Sequence, residues 1–130
     1  MFAEISFKKQ VLFINVIKKN PVNDEFSDFV DECEKLYTSL CQPFILVFDL
    51  SFMGLIGPVE VYQWMTLFFK VKHITEQYLK CTVVCMNDNL REPVNMFLKL
   101  YNPIKPFHVL YDSNYLTQFV TDRRIEFKLL

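Results

Sequence analysis

Five large apolar residues in a row, Phe44-Ile45-Leu46-Val47-Phe48, stand at the centre of the hydrophobic pattern. A run without polar alternation predicts a strand, here 44–50, that is covered on both faces. Beyond it, apolar residues at helical spacing predict a helix over 58–76, with Pro58 in its first turn, where a missing N–H costs nothing. The loop between them holds Gly54 and Gly57, the only glycines of the chain. Both are read as points where the backbone turns sharply.

The rest of the pattern falls on either side of this unit. Loose alternation predicts a strand over 2–7 and a nearly all-apolar run predicts another over 11–17, joined by a hairpin-length connection at Lys8-Lys9-Gln10 that lacks the favoured Asn-Gly. A helix over 22–40 follows, with Asn23 as N-cap. Phe26, Phe29, Val30, Cys33, Leu36, Tyr37 and Leu40 form its inner stripe, and Asp24, Glu25, Asp28, Asp31, Glu32 and Glu34 form a solvated outer face. After helix 58–76 come a strand over 79–86, a loop at 87–89, and a helix within 90–101. A strand within 104–111 is dependable at 107–110 and suits an edge position because of Pro106. A helix capped by Ser113 turns Leu116, Phe119 and Val120 inward, and 125–130 is either a short strand or a docked tail. The order β-β-α-β-α-β-α-β-α predicts a single α/β domain over 1–130 with a mostly parallel central sheet and helices packed on it. The opening hairpin argues against a plain Rossmann or receiver-type fold.

Helix 58–76 carries more apolar surface than one core stripe uses. Val61, Trp64, Met65, Phe68 and Val71 account for the core face; Tyr62, Leu67, Phe69 and Ile74 widen it. Either the chain's own segments cover the excess, the C-terminal tail among them, or it forms a patch that binds something.

Composition narrows the functional classes. The 130 residues are 52% hydrophobic and carry a net charge of −1, which excludes disorder and gives no electrostatic reason to expect nucleic acid as a partner. No apolar run reaches the ~20 residues of a membrane span. The first residues lack the basic flank and apolar core of a signal peptide. Cys33, Cys41, Cys81 and Cys85 show no metal-ligand spacing and are read as reduced core residues, which points to a cytoplasmic setting. No Gly-rich phosphate loop and no Gly-x-Ser-x-Gly elbow is present, and His73 and His108 lie apart with no nucleophile pattern. No catalytic residue, metal ligand or cofactor is therefore assigned.

The element order and the central motif resemble the STAS domain of sulphate transporters and bacterial anti-sigma-factor antagonists. In that family a buried strand ends in Asp or Asn, passes through a short apolar loop, and reaches Asp-Ser-Ser-Gly or Asp-Ser-Thr-Gly at the start of the second helix. Here Phe48-Asp49-Leu50-Ser51-Phe52-Met53 looks like the strand end and loop, and Gly54-Leu55-Ile56-Gly57 falls at the four-residue motif. Gly57 agrees with the pattern; Gly54 replaces the acid, and Leu55 and Ile56 replace both hydroxyl residues. The resemblance implies a regulatory interaction module without the family's phosphorylation switch, since neither Leu nor Ile can carry a phosphate. Its rhythm is also similar to the lipid-binding CRAL-TRIO fold, which normally needs a larger chain.

Two functional readings follow. The first is a non-catalytic protein-interaction module. It contacts a protein partner, or a second copy, through the Gly54–Gly57 loop and helix 58–76, using Phe52, Met53, Gly54, Leu55, Ile56, Gly57, Tyr62 and Phe69. The second is a CRAL-TRIO-like or receiver-like domain binding Mg²⁺, a nucleotide or a lipid at the C-terminal ends of the strands. There Asp49, Asp88 and Asp112 either collect a ligand or serve as Asx turns and helix caps.

Overall fold

The computed structural model describes residues 2–22 and 24–129. Among them, β1 (Ala3–Lys8), β2 (Val11–Val16), β3 (Phe44–Asp49), β4 (Leu79–Cys85) and β5 (Phe107–Leu110) form one sheet in the order β1-β2-β3-β4-β5. Strands β2 to β5 run parallel, and β1 pairs antiparallel with β2 at the edge. The chain is thus an α/β domain with a mostly parallel sheet, and β3 lies at its centre. Phe44, Ile45 and Val47 are fully buried, because helices cover both faces.

The two faces are covered unequally. Helices α1 (Glu25–Ser39), α2 (Pro58–Lys70) and α4 (Arg91–Leu100) share a core with Phe44, Leu46 and Phe48 on the front face. Trp64 organises that core through edge-on ring contacts of 5.2 Å to Phe48 and 5.3 Å to Phe29. Ile45, Val47, Cys81, Val83 and Cys85 face the back, where α5 (Leu116–Glu126) supplies Leu116 and Val120. Strand order that follows chain order, with every crossover helix on one side, leaves the back to the last helix.

The hairpin turn is resolved by backbone geometry. Lys9 and Gln10 are its two central residues, and both have positive φ (50° and 62°), as a type I′ turn requires. The twist match with the strands outweighs the absence of Asn or Gly. Asn23, the expected cap of α1, lies outside the described residues. Asp24 precedes the helix without a side-chain cap bond.

Several expectations are corrected. Residues 58–76 are two helices: α2 ends at Lys70, and α3 (Lys72–Tyr78) starts after a break at Val71. The break redirects the chain so that Ile74 and Thr75 are buried, and the Thr75 hydroxyl meets the Tyr37 hydroxyl at 2.6 Å. Of the segment 125–130, Ile125 and Glu126 form the last turn of α5, Phe127 and Leu129 dock on the back face away from α2, and Leu130 lies outside the described residues. Phe127 ends α5, Lys128 adopts φ 60°, and the Leu129 N–H donates to Arg124 O while the Lys128 N–H donates to Ile125 O. These are the two bonds of a Schellman motif, and they drop Leu129 into the back core. Asp112, not Ser113, opens the last helical segment: its carboxylate accepts from the Asn114 N–H. Cys41 lies past the end of α1 and is exposed, whereas Cys33, Cys81 and Cys85 are buried. No helix among the described residues is long and apolar enough to cross a membrane.

Candidate functional site

The loop from β3 to α2 is held from several directions. The Asp49 carboxylate accepts from the Ser51 N–H at 3.1 Å and the Ser51 hydroxyl at 2.6 Å, which folds the strand end into an Asx turn. The Asn87 amide, at the end of β4, donates to Ser51 O and Met53 O, both at 2.8 Å. The Gly54 N–H donates to Lys19 O at 2.6 Å, tying the loop to the chain leaving β2.

This contact explains Gly54. Neither glycine has positive φ, so turning is not what either residue supplies. A Cβ on Gly54 would lie 2.9 Å from Lys19 O and 2.8 Å from Asn20 Oδ1, closer than a side chain tolerates. Glycine is needed there because two backbones touch. Gly57 is the N-cap of α2, and its N–H donates to the Glu60 carboxylate at 3.1 Å. That is half of a capping box, since glycine has no side chain to complete the other half. Pro58 occupies the first turn, as expected.

The loop thus holds its side chains in two sets. Met53 is buried with a relative exposure of 2%, and Gly54 is buried beside it, so neither offers surface. Ile56 and Gly57 are half-buried. Phe52 (60%), Leu55 (69%), Tyr62 (64%) and Phe69 (53%) are exposed. Val59, at 70%, belongs with them and was missed by the sequence reading. Its signal is the spacing Val59, Tyr62, Thr66, Phe69, which runs along the outer crest of α2. Leu67 and Ile74, counted with the excess, are buried. Phe69 makes an edge-on ring contact with Tyr101 at 5.4 Å. Beside this crest lies a groove against α1, lined by Asp31, Glu34, Tyr62, Gln63 and Lys70, where Lys70 pairs with Glu34 at 3.2 Å.

Under the loop, a cavity of about 70 Å³ separates α2 from α4 above the ends of β3 and β4. Phe48, Trp64, Phe68, Val84, Val94 and Phe97 are among its walls, and every lining residue is apolar.

Asp49 is the last residue of β3, and Asp88 and Asp112 follow the C-terminal ends of β4 and β5. Each is engaged locally: Asp49 and Asp112 in Asx turns, Asp88 with the Arg91 guanidinium at 3.1 Å. Arg91 also lies over the Tyr111 ring at 4.9 Å. Among the described residues no three His, Cys, Asp or Glu side chains come together as a cation site. Burial pushes the Cys85 thiol up to about 11, and the negative charges of Asp49 and Asp112 add to the effect. Burial likewise raises Cys81 to about 11, against the opposing charge of Arg123. These thiols stay protonated and pack as small apolar groups. His73 is exposed on α3, and His108 lies on β5 against Phe119 on the back face, so the two histidines belong to different surfaces.

The chain matches no known family model and no curated protein.

Proposed function

We propose that the chain is a non-catalytic protein-interaction module of STAS-like architecture that lacks a phosphorylation switch at its central loop. One observation carries this reading. Phe52, Leu55, Val59, Tyr62 and Phe69 are each more than half exposed along one continuous loop-and-helix segment. Such a concentration of large apolar groups on a firmly held backbone marks a contact surface. The loop offers Leu55 and Ile56 where the related pattern has hydroxyls, so contact through it is constitutive. The parallel sheet, the edge hairpin and the helix order are compatible with that architecture.

The test compares the wild-type chain with a Leu55→Glu/Tyr62→Glu variant as bait in the source cell. Proteins enriched by the wild type are expected to be lost with the variant. Stability should change by no more than about 0.5 kcal/mol, as for exposed positions generally. Retention of the same partners by both baits overturns the proposal.

A second reading rests on the apolar cavity. It would admit a small uncharged group, but at about 70 Å³ it is well below the roughly 300–1,000 Å³ of ordinary ligand sites. Thermal melts with Mg²⁺, nucleotides and lipids test it, because a specific ligand raises the melting temperature by mass action.

A further inference from the structure

Strand β1 stands at the rim of the sheet and pairs only with β2. The Ile17 N–H donates to Phe2 O in the same register, so these two residues form a hydrogen-bonded pair. Bonding alternates along an antiparallel strand. Glu4, Ser6 and Lys8 therefore turn their backbone groups to β2, and Ala3, Ile5 and Phe7 turn theirs outward. Among the described residues no loop or side chain bonds to those outward groups. Edges of this kind are commonly blunted by a proline, a bulge or a very short strand. β1 has six residues, no proline and an unbroken register, whereas β5, at the other rim, has four and follows Pro106.

The two faces of β1 differ. Ala3, Ile5 and Phe7 pack toward the front core, so alternation puts Glu4, Ser6 and Lys8 on the back, where all three are exposed. Among the described residues neither Glu4 nor Lys8 has an ion-pair partner. The exposed carboxylates of α5 are engaged elsewhere, Asp122 by Gln118 and Glu126 by Arg123. On the front, an open groove of about 430 Å³ runs between β1 and α1. Phe2, Ile5 and Phe29 line it, and Asp28 and Glu32 are exposed at its margin. Glu25, also in its wall, is paired with Lys18 at 2.8 Å.

We infer that two copies of this chain join β1 to β1 antiparallel into one continuous sheet, with Phe7 of each copy opposite Ile5 of the other. The outward groups fix the parity, since only odd residues can bond to odd residues across the seam. Two registers of that parity overlap well. One sets Ile5 opposite Ile5 and Glu4 opposite Ser6. The other sets Ile5 opposite Phe7, Ser6 opposite Ser6 on the two-fold axis, and Glu4 opposite Lys8. Only the second brings unlike charges face to face, twice by symmetry. They meet at non-hydrogen-bonded positions, where Cα atoms approach to about 4.5 Å and side chains interact most closely. Ala-Glu-Ile-Ser-Phe-Lys is in this sense its own antiparallel complement. The same register lays Phe7 of the second copy over the groove beside Ile5. It also brings that copy's Lys9, opposite Ala3, to the acidic margin. The contact is isologous and stops at the dimer. It leaves the α2 crest open and does not depend on how that crest is used.

Sedimentation velocity over a concentration series reaching about 1 mM tests the pairing. The mass should rise from the 15.6 kDa monomer and level off at twice that value. Glu4→Lys and Lys8→Glu each set like charges opposite one another, and each should weaken self-association by about tenfold or more. Both positions are exposed, so both variants should melt close to wild type. An equimolar mixture of the two should form a 1:1 pair, and the Glu4→Lys/Lys8→Glu double variant should associate as wild type does. Amide hydrogen exchange reads the register directly. Protection at Ile5 and Phe7 should grow with concentration, while Glu4 and Ser6, bonded to β2, stay protected throughout. A monomer at every concentration overturns the inference. So does a dimer indifferent to the single charge reversals, or one that neither the mixture nor the double variant restores.

Discussion

Two residues show how backbone geometry and side-chain identity pull against each other. Lys128 sits at the left-handed position of the Schellman motif that ends α5, where a Cβ is disfavoured. Lys128→Gly is expected to stabilise the fold by about 1 kcal/mol, read as a higher midpoint in urea or heat. Gly54 is the reverse case. Gly54→Ala drives a methyl into Lys19 O and loosens the loop, at a cost of about 1–3 kcal/mol, the range for overpacking a tight contact. That cost should appear in the same denaturation measurement. The need for glycine at 54 was legible in the sequence, but the reason was not. The segment it touches lies more than thirty residues earlier in the chain, and composition carries no trace of the contact. Asn87 is similar: it reads as part of a polar loop, yet its amide holds two carbonyls of the β3–α2 loop.

At the level of elements, apolar runs and helical stripes located each strand and helix, because burial of one face imposes a period on the sequence. The division at Val71 escaped, because apolar residues continue at helical spacing through it and only the packing partner reveals the change of direction. Tyr37 on α1 is that partner. Its hydroxyl meets Thr75 at 2.6 Å in a buried setting, and burial raises the Tyr37 pKa. Tyr37→Phe removes one member of this pair and is expected to cost about 1–2 kcal/mol, measured by chemical denaturation. Hydrogen exchange should show the loss concentrated in Lys72–Tyr78, since α3 is the element whose orientation the bond secures. The tail after α5 was ambiguous in sequence for a related reason. Strand and docked tail both bury alternate residues, and the left-handed Lys128 decides between them.

For the whole molecule, α5 is the one helix on the back face among the described residues, whereas α1, α2, α3 and α4 pack on the front, so α5 governs the stability of that side. His108 reports on it. Burial lowers its pKa from the usual 6.5, the positive charge of Arg123 lowers it further, and Glu126 opposes both. The folded state thus favours the neutral ring. As pH falls through 6.5 the unfolded chain takes up a proton first, so this contribution to stability declines, levelling off once the folded ring is also protonated. Wild type should therefore lose more stability than His108→Phe between about pH 7.5 and about pH 5, compared by urea midpoints. Equal losses in the two proteins would remove His108 from the account.

Residue order alone determined the class of fold, the central place of Phe44–Phe48 and the excess apolar surface after Pro58, because each follows from local periodicity and from how much grease one face can bury. Tertiary structure decided which of those apolar side chains face water. Leu67, Ile74 and Met53 turn inward and Phe52, Leu55, Val59, Tyr62 and Phe69 turn outward, since exposure depends on which elements arrive from distant parts of the chain. The meeting of the hairpin turn with the end of α5, where the Arg124 side chain donates to Lys9 O, was likewise decided only by the fold, as a contact between residues at opposite ends of the sequence.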